Sequence, residues 1–341
     1  MKWLIAAPFI KDKQDRWLGA FVPGSRHAFE AIPAAYAHDR SRARTGGSEW
    51  MDYFKHAWSV LKFVPRAKGT GVITCFPQLP VALGLLSILT GKRFPIVAWT
   101  FNVGKLPVGL KRTISGIGLR RVDLIVVHSR NEIDECVACF GLPRERVQYV
   151  PLQRALNPKP RSEDAEHPYL LALGTANRDY RLLFEVLARQ PRRAIVVAGA
   201  HALSGLEVPA CVEIRSGLSI EQCHELVLGA RVNVIPVANA TTASGQVTLL
   251  DSMGMGCPTI MTRCPGSVDY VEDGTTALLV EPHSADELSH AVESLWNDPE
   301  LRARIGAAGA AHVKASFSDE AVGAELGRIC DRFAVDRSVP I

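Results

Sequence analysis

The chain has 341 residues, of which 47% are hydrophobic and 22% charged, with a formal net charge of +4. That length accommodates two domains of ordinary size, and the composition excludes a disordered chain. No apolar run approaches the ~18 residues of a membrane span, and eight scattered cysteines in a chain of this size read as reduced, mostly buried thiols of a cytoplasmic protein.

The opening "MKWLIAAPFI" has a short apolar run for a signal peptide and reads equally well as a first buried strand. Further β-branched runs follow, "GVITCF", "PIVAWT" and "VDLIVVH", separated by helical patterns. The apolar stretch "PVALGLLSILTG" is bounded by Pro and Gly and reads as a buried helix. This first half is strongly basic. Residues 1–150 carry 22 Lys and Arg against 11 Asp and Glu, whereas the remainder carries 17 against 24. Such an excess points either to an anionic partner, for example a membrane surface, or to a solvated charged face. No aromatic and basic platform accompanies it, so nucleic acid is not an expected partner.

Residues 151–168, "PLQRALNPKPRSEDAEHP", contain four prolines and no apolar period and are read as a linker. The strand and helix rhythm then resumes with "YLLALG", "AIVVAG", "CVEIR", "RVNVIP", "PTIMT" and "TALLV". Alternation of this kind predicts parallel sheets covered by helices on both faces. The expected fold is α/β, with two doubly wound Rossmann-like domains facing a cleft: residues 1–150, then 169–341, the last helix having the option of packing back on the first domain. Ligands of such sheets lie beyond the carboxyl ends of the strands.

Within the second half, "SGQVTLLDSMGMGCPTIMT" opens a helix with Ser244, Gly245 and Gln246. A glycine there lets a ligand approach backbone N–H groups at the positive end of the helix dipole, which favours a phosphate or diphosphate. Asp251 follows six residues after Gly245, roughly 9 Å along the axis at 1.5 Å per residue, and suits the hydroxyls of an attached sugar. The plain alternative is a Ser-capped helix with a solvent-facing Asp. The two cysteines of "CVAC", Cys136 and Cys139, have no second pair at zinc spacing, and there is no Asp-x-Asp pair, so no metal is expected.

With the strand and Pro-Gly loop after it, this stretch resembles the GT-B-fold nucleotide-sugar glycosyltransferases, in particular the large retaining family with the Glu-x7-Glu motif (family 4, group 1 type). The resemblance covers the second half. It implies transfer of a sugar from a nucleotide diphosphate, with no cofactor and no metal, to a lipid-linked or glycan acceptor in polysaccharide or glycolipid synthesis. The enzyme would be cytoplasmic and peripheral on the inner face of the plasma membrane. The second motif Glu falls on Asp251, implying a ribose contact, and the first on Ala243, which lacks the carboxylate. Thr175, Arg178, Ser244, Gly245, Gln246 and Val247 fall where such enzymes hold the diphosphate. Ser216, Gly217 and Leu218 fall where they meet the base. Asn102 stands where many carry a His near the reacting sugar; for an inverting mechanism, His27 is the first candidate base. The run "SGQVTLLD" also looks like the inverting N-acetylglucosaminyltransferase of peptidoglycan synthesis, so the anomeric outcome stays open. Alternatives are a non-catalytic sugar-nucleotide binder and a GT-B epimerase or phosphorylase, although Lys159 and Lys314, the only lysines after residue 150, do not suit pyridoxal phosphate.

Overall fold

A computed structural model describes all residues except 23, 38–45, 66–68, 103, 105, 158 and 336–341. The chain divides into two compact units, Met1–Pro151 with Glu320–Ile341, and Leu152–Asp319.

The first unit contains β1 (Lys2–Ala6), β2 (Ala28–Ala31), α1 (Gly47–Phe63), β3 (Thr70–Cys75), α2 (Gln78–Thr90), β4 (Ile96–Trp99), α3 (Gly109–Leu119), β5 (Leu124–Val127), α4 (Asn131–Phe140) and β6 (Val147–Tyr149). Its six strands are all parallel, in the order β2-β1-β3-β4-β5-β6. The central strands are buried on both faces, which is why they read as continuous β-branched runs. The edge strands β2 and β6 have four and three residues and a mixed burial pattern, so they leave no such signature.

The four crossover helices pack one face of this sheet around Leu4, Val60, Leu83, Ile96 and Ile125. Helices α2 and α3 meet through glycine. A Cβ at Gly84 would stand 2.0 Å from the Gly118 carbonyl oxygen, and one at Gly118 2.6 Å from that of Val81. The other face is closed by the last helix, α10 (Asp319–Val335), through Val322, Leu326, Ile329 and Cys330 against Trp3, Ile73 and Trp99.

The second unit contains β7 (Leu170–Leu173), α5 (Tyr180–Arg189), β8 (Ala194–Val197), β9 (Val212–Arg215), α6 (Ile220–Gly229), β10 (Val232–Ile235), α7 (Gln246–Gly254), β11 (Thr259–Thr262), β12 (Leu278–Val280), α8 (Ala285–Asn297) and α9 (Pro299–Ser316). This sheet is also parallel throughout, in the order β12-β11-β10-β7-β8-β9. Segment 152–168, read as a linker, is part of this unit. The Leu152 N–H donates to Tyr270 Oη (2.9 Å) and the Arg154 N–H to the Phe317 carbonyl (2.9 Å), which fixes the segment against the end of α9. All eight cysteines are free thiols.

Candidate functional site

The strand order of the second unit reverses at β7, which lies between β8 and β10. In open parallel sheets the loops beyond the carboxyl ends of the strands at such a point form a crevice. Here they enclose a cavity of about 550 Å³, whose wall includes Thr175, Gly199, Ser216, Val247, Thr248 and Asp251.

The loop after β7 is shaped by Gly174. Its φ of +120° is unfavourable for other residues, and a Cβ there would stand 2.7 Å from the Arg178 guanidinium. Arg178 therefore folds back over the loop. Its Nε donates to the Leu173 carbonyl (3.0 Å), Nη1 to that of Ala176 (3.0 Å) and Nη2 to Thr248 Oγ1 (3.3 Å). Burial presses the Arg178 pKa below its ordinary value, and among the described residues no carboxylate pairs with it. The neighbouring Asp179 is occupied instead as the cap of α5, accepting from the Leu182 N–H (3.0 Å). Thr175 ties two loops together, its Oγ1 accepting from the Gly199 N–H (3.0 Å).

Helix α7 is entered from Gly245 at φ +82°, with no side-chain cap. A Cβ at Gly245 would lie 2.8 Å from Met261 Cε and 3.0 Å from Ile235 Cγ2, so both conformation and packing require glycine. The first turn faces the cavity through Val247 and Thr248. Ser244, Gly245 and Gln246 stand outside the wall; Gln246 is buried, and its Nε2 lies 3.3 Å from Tyr270 Oη. Any ligand contact by Gly245 would run through its backbone. Ala243 is buried and apolar, so no carboxylate stands there.

Across the cavity, Ser216, Gly217 and Leu218 leave β9 toward α6. Gly217 has φ +68° and open space where a Cβ would be. Ser219 then caps α6 in a reciprocal box with Gln222.

Asp251 lies in the second turn of α7 and is held by residues that sequence reasoning did not single out. Arg154 grips its carboxylate in a fork, Nε to Oδ1 at 2.7 Å and Nη2 to Oδ2 at 2.9 Å. His224 Nε2 stands 3.7 Å from Oδ2. Each carboxylate oxygen has two lone pairs, so one on each remains for a diol. Asp251 and His224 also border a second cavity of about 310 Å³ between α6 and α7.

The two candidates of the first unit are not brought together. In a parallel sheet the amino end of β2 and the carboxyl end of β4 are on opposite edges. Asn102 follows β4, its Oδ1 accepting from the Gly104 N–H at 2.9 Å. His27 precedes β2 with its ring buried, and its Nε2 donates to Asp331 Oδ1 at 2.8 Å. Arg26 Nε binds the same oxygen at 2.9 Å. Chiefly because of the hydrogen bond from His27, Asp331 sits below the usual carboxylate range. Rather than facing the carboxyl edge as a base would, His27 anchors α10. Among the described residues no three His, Cys, Asp or Glu side chains cluster as a metal site.

Two six-stranded parallel units, the second with its cavity at the strand switch point, define a GT-B fold. Residues 155–312 match the family described as Glycosyl transferases group 1. The chain is 35% identical over 86 residues to α-1,3/1,6-mannosyltransferase ALG2 of Homo sapiens, a match covering 25% of this chain and 20% of that protein. It is 30% identical over 164 residues to the lipopolysaccharide core biosynthesis glycosyltransferase LpsE of Rhizobium meliloti, covering 46% of this chain and 48% of that one. It thus spans only a fifth to a half of these curated relatives. In fold it is similar to sucrose-phosphate synthase from Thermosynechococcus elongatus (TM-score 0.74, 14% identity, 98% of this chain and 100% of that one). It is also similar to Anabaena HepE in complex with UDP-glucose (TM-score 0.72, 13% identity, 97% and 100%).

Proposed function

We propose that the chain is a metal-independent glycosyltransferase of the hexosyltransferase class. The second unit would bind a nucleotide-diphosphate sugar, and the first a lipid-linked or glycan acceptor at the cytoplasmic face of an anionic membrane. The observation that carries the reading is the convergence of Thr175, the 216–218 turn, the first turn of α7 and Asp251 on one cavity, with Arg178 beside it. In this reading the base lies against the 216–218 turn and the ribose diol donates to Asp251. The diphosphate meets the α7 N-terminus and Arg178, whose fixed charge would stabilise the leaving nucleoside diphosphate. Asn102 would contact a sugar hydroxyl. The names of LpsE, a lipopolysaccharide enzyme, and ALG2, a mannosyltransferase, support a role in polysaccharide or glycolipid synthesis.

The test is release of nucleoside diphosphate from a panel of UDP-, GDP- and dTDP-sugars with a lipid extract, with and without a chelator. Turnover unaffected by chelator is expected, and loss of turnover with chelator would remove the metal-independent assignment. Ala243 favours one second reading, a non-catalytic sugar-nucleotide binder, since the usual contact to the donor sugar is missing there. Binding of a donor without turnover on any acceptor would select it, and no binding at all would overturn both.

A further inference from the structure

Among the described residues of the whole chain, nine of the sixteen large apolar side chains that are exposed lie on or beside α1, α2 and α3. The most open are Leu89 (79%), Val108 (81%) and Leu110 (75%). Trp58, Ile114 and Ile117 extend the patch. It ends at α4, the next helix of the layer, which exposes Asp134 and Glu135 instead.

Helix α3 explains why these side chains point outward. Its buried residues are Ser115, Gly116, Gly118 and Leu119, and it seats on α2 through the Gly84 and Gly118 contacts. The face that would normally carry a helix's large apolar residues is built of small ones except for Leu119. Leu110, Ile114 and Ile117, spaced i, i+4 and i+7, form a stripe on the opposite side. These residues lie outside the core cluster of the unit, and an apolar patch of this kind marks a surface that something else covers. On α1, exposed Met51, Lys55, Trp58 and Lys62 share one face at the same spacing, apolar and basic in turn. Lys111 and Arg112 flank the α3 stripe and are exposed. Among the described residues of 46–120, seven Lys and Arg stand against two acids, so this layer is basic.

We infer that the outer face of α1, α2 and α3 docks on the surface of a bilayer containing anionic phospholipid. Leu89, Val108, Leu110, Ile114 and Ile117 enter the headgroup and acyl boundary, and the lysines and arginines meet lipid phosphates. A Trp with flanking lysines suits that boundary, having an apolar body and polar contacts at its rim. A second copy fits poorly, because like faces would set basic residues against basic residues. A nucleic acid leaves the aliphatic stripe without a role. The inference rests on the proposed reading only for the lipid-linked acceptor, and names the face that would meet its membrane.

The experiment is vesicle flotation of the full chain, with phosphatidylcholine alone and with phosphatidylcholine and phosphatidylglycerol in equal parts. The chain should float with the anionic vesicles. The exposed triple variant L110E/I114E/I117E should lose about tenfold or more of its partition. Each of Lys111→Ala and Arg112→Ala should cost about fivefold at low salt and less at high salt. Thermal unfolding and nucleoside diphosphate affinity, read on the same samples, should not move. Flotation of the triple variant equal to that of the parent overturns the inference, as does failure of the parent to float. A parent dimer in sedimentation velocity that the triple variant abolishes would assign the face to a second copy and overturn it too. A chain that floats but turns over no donor leaves this inference standing and defeats the catalytic reading.

Discussion

Replacing Arg154 with alanine separates two roles for the pair it makes with Asp251. The side chains of Arg154 and Asp251 are 32% and 15% exposed, and the contact is a two-bond fork at 2.7 and 2.9 Å. An exposed ion pair contributes under ~1 kcal/mol, and breaking a fully buried one costs about 3–5 kcal/mol. Partial burial with good geometry places this pair between them, at about 2 kcal/mol of stability. If Arg154 orients the carboxylate for a ribose diol, Arg154→Ala should also weaken nucleoside diphosphate binding by about fivefold, since the acceptor survives without its orientation. Asp251→Asn should weaken it by about tenfold or more, since a hydrogen bond to a charged group is lost. Urea unfolding of the two single variants and the double variant gives a cycle, with an expected coupling of about 2 kcal/mol. Calorimetric titration with the nucleoside diphosphate gives the affinities. Tighter binding by Arg154→Ala would refute the reasoning, because Arg154 would then be a competitor for Asp251.

Other outcomes follow from the same geometry. Arg178→Ala should lower nucleoside diphosphate affinity about tenfold or more while leaving affinity for the phosphate-free nucleoside unchanged; an equal loss for both would remove Arg178 from the diphosphate. Gly245→Ala should destabilise the second unit by about 2 kcal/mol, from the left-handed φ of +82° and the close Met261 and Ile235 contacts, and calorimetry showing no loss would contradict that account. In the first unit, burial pushes the His128 imidazole down to about 4 from 6.5. Between those values the unfolded chain binds the extra proton, so stability is full above pH 6.5 and falls as pH drops toward 4. The loss from pH 7 to pH 5 should be about 2 kcal/mol, read by urea unfolding, and His128→Asn should flatten the slope.

Much of the fold was legible because parallel central strands buried on both faces must be apolar throughout. The ten runs that stood out in the sequence are all strands, and eight of them are buried along most of their length; β9 and β12, at the edges of the second sheet, stood out through their β-branched and apolar composition alone. β2, with exposed Ala28 and half-exposed Glu30, and three-residue β6 lack that constraint. In the candidate site, Gly245 and Gly217 were legible because a glycine before a helix marks a backbone conformation and a close approach together. Arg154 was not, since it lies in a segment without apolar period. Its place comes from pairing with Ser318 and the end of α9, a contact across more than 160 residues of sequence. Arg178 next to Asp179 reads as a local pair, yet the helix cap claims the acid and the glycine-shaped loop claims the arginine. For His27 the local sequence gives no hint of Asp331, because that partner arrives with the last helix.

The two arginines beside the cavity divide the electrostatic work. Arg154 is matched in charge by Asp251, so that pair adds shape and orientation but little net field. Arg178 is held by two carbonyls and a hydroxyl, all neutral, while burial works against its charge. Neutral acceptors satisfy its N–H groups without cancelling its charge, and a guanidinium stays protonated in proteins. Among the described residues no carboxylate matches the Arg178 charge beside the α7 N-terminus, and its setting has a reduced dielectric, where Coulomb attraction exceeds its value in water. An anion placed there relieves the cost of keeping that charge from solvent, and the gain grows as negative charge accumulates on it. A leaving diphosphate gains charge in that way during transfer of a sugar. The unmatched charge that makes Arg178 costly to bury in the protein is thus what would make it effective in the transition state.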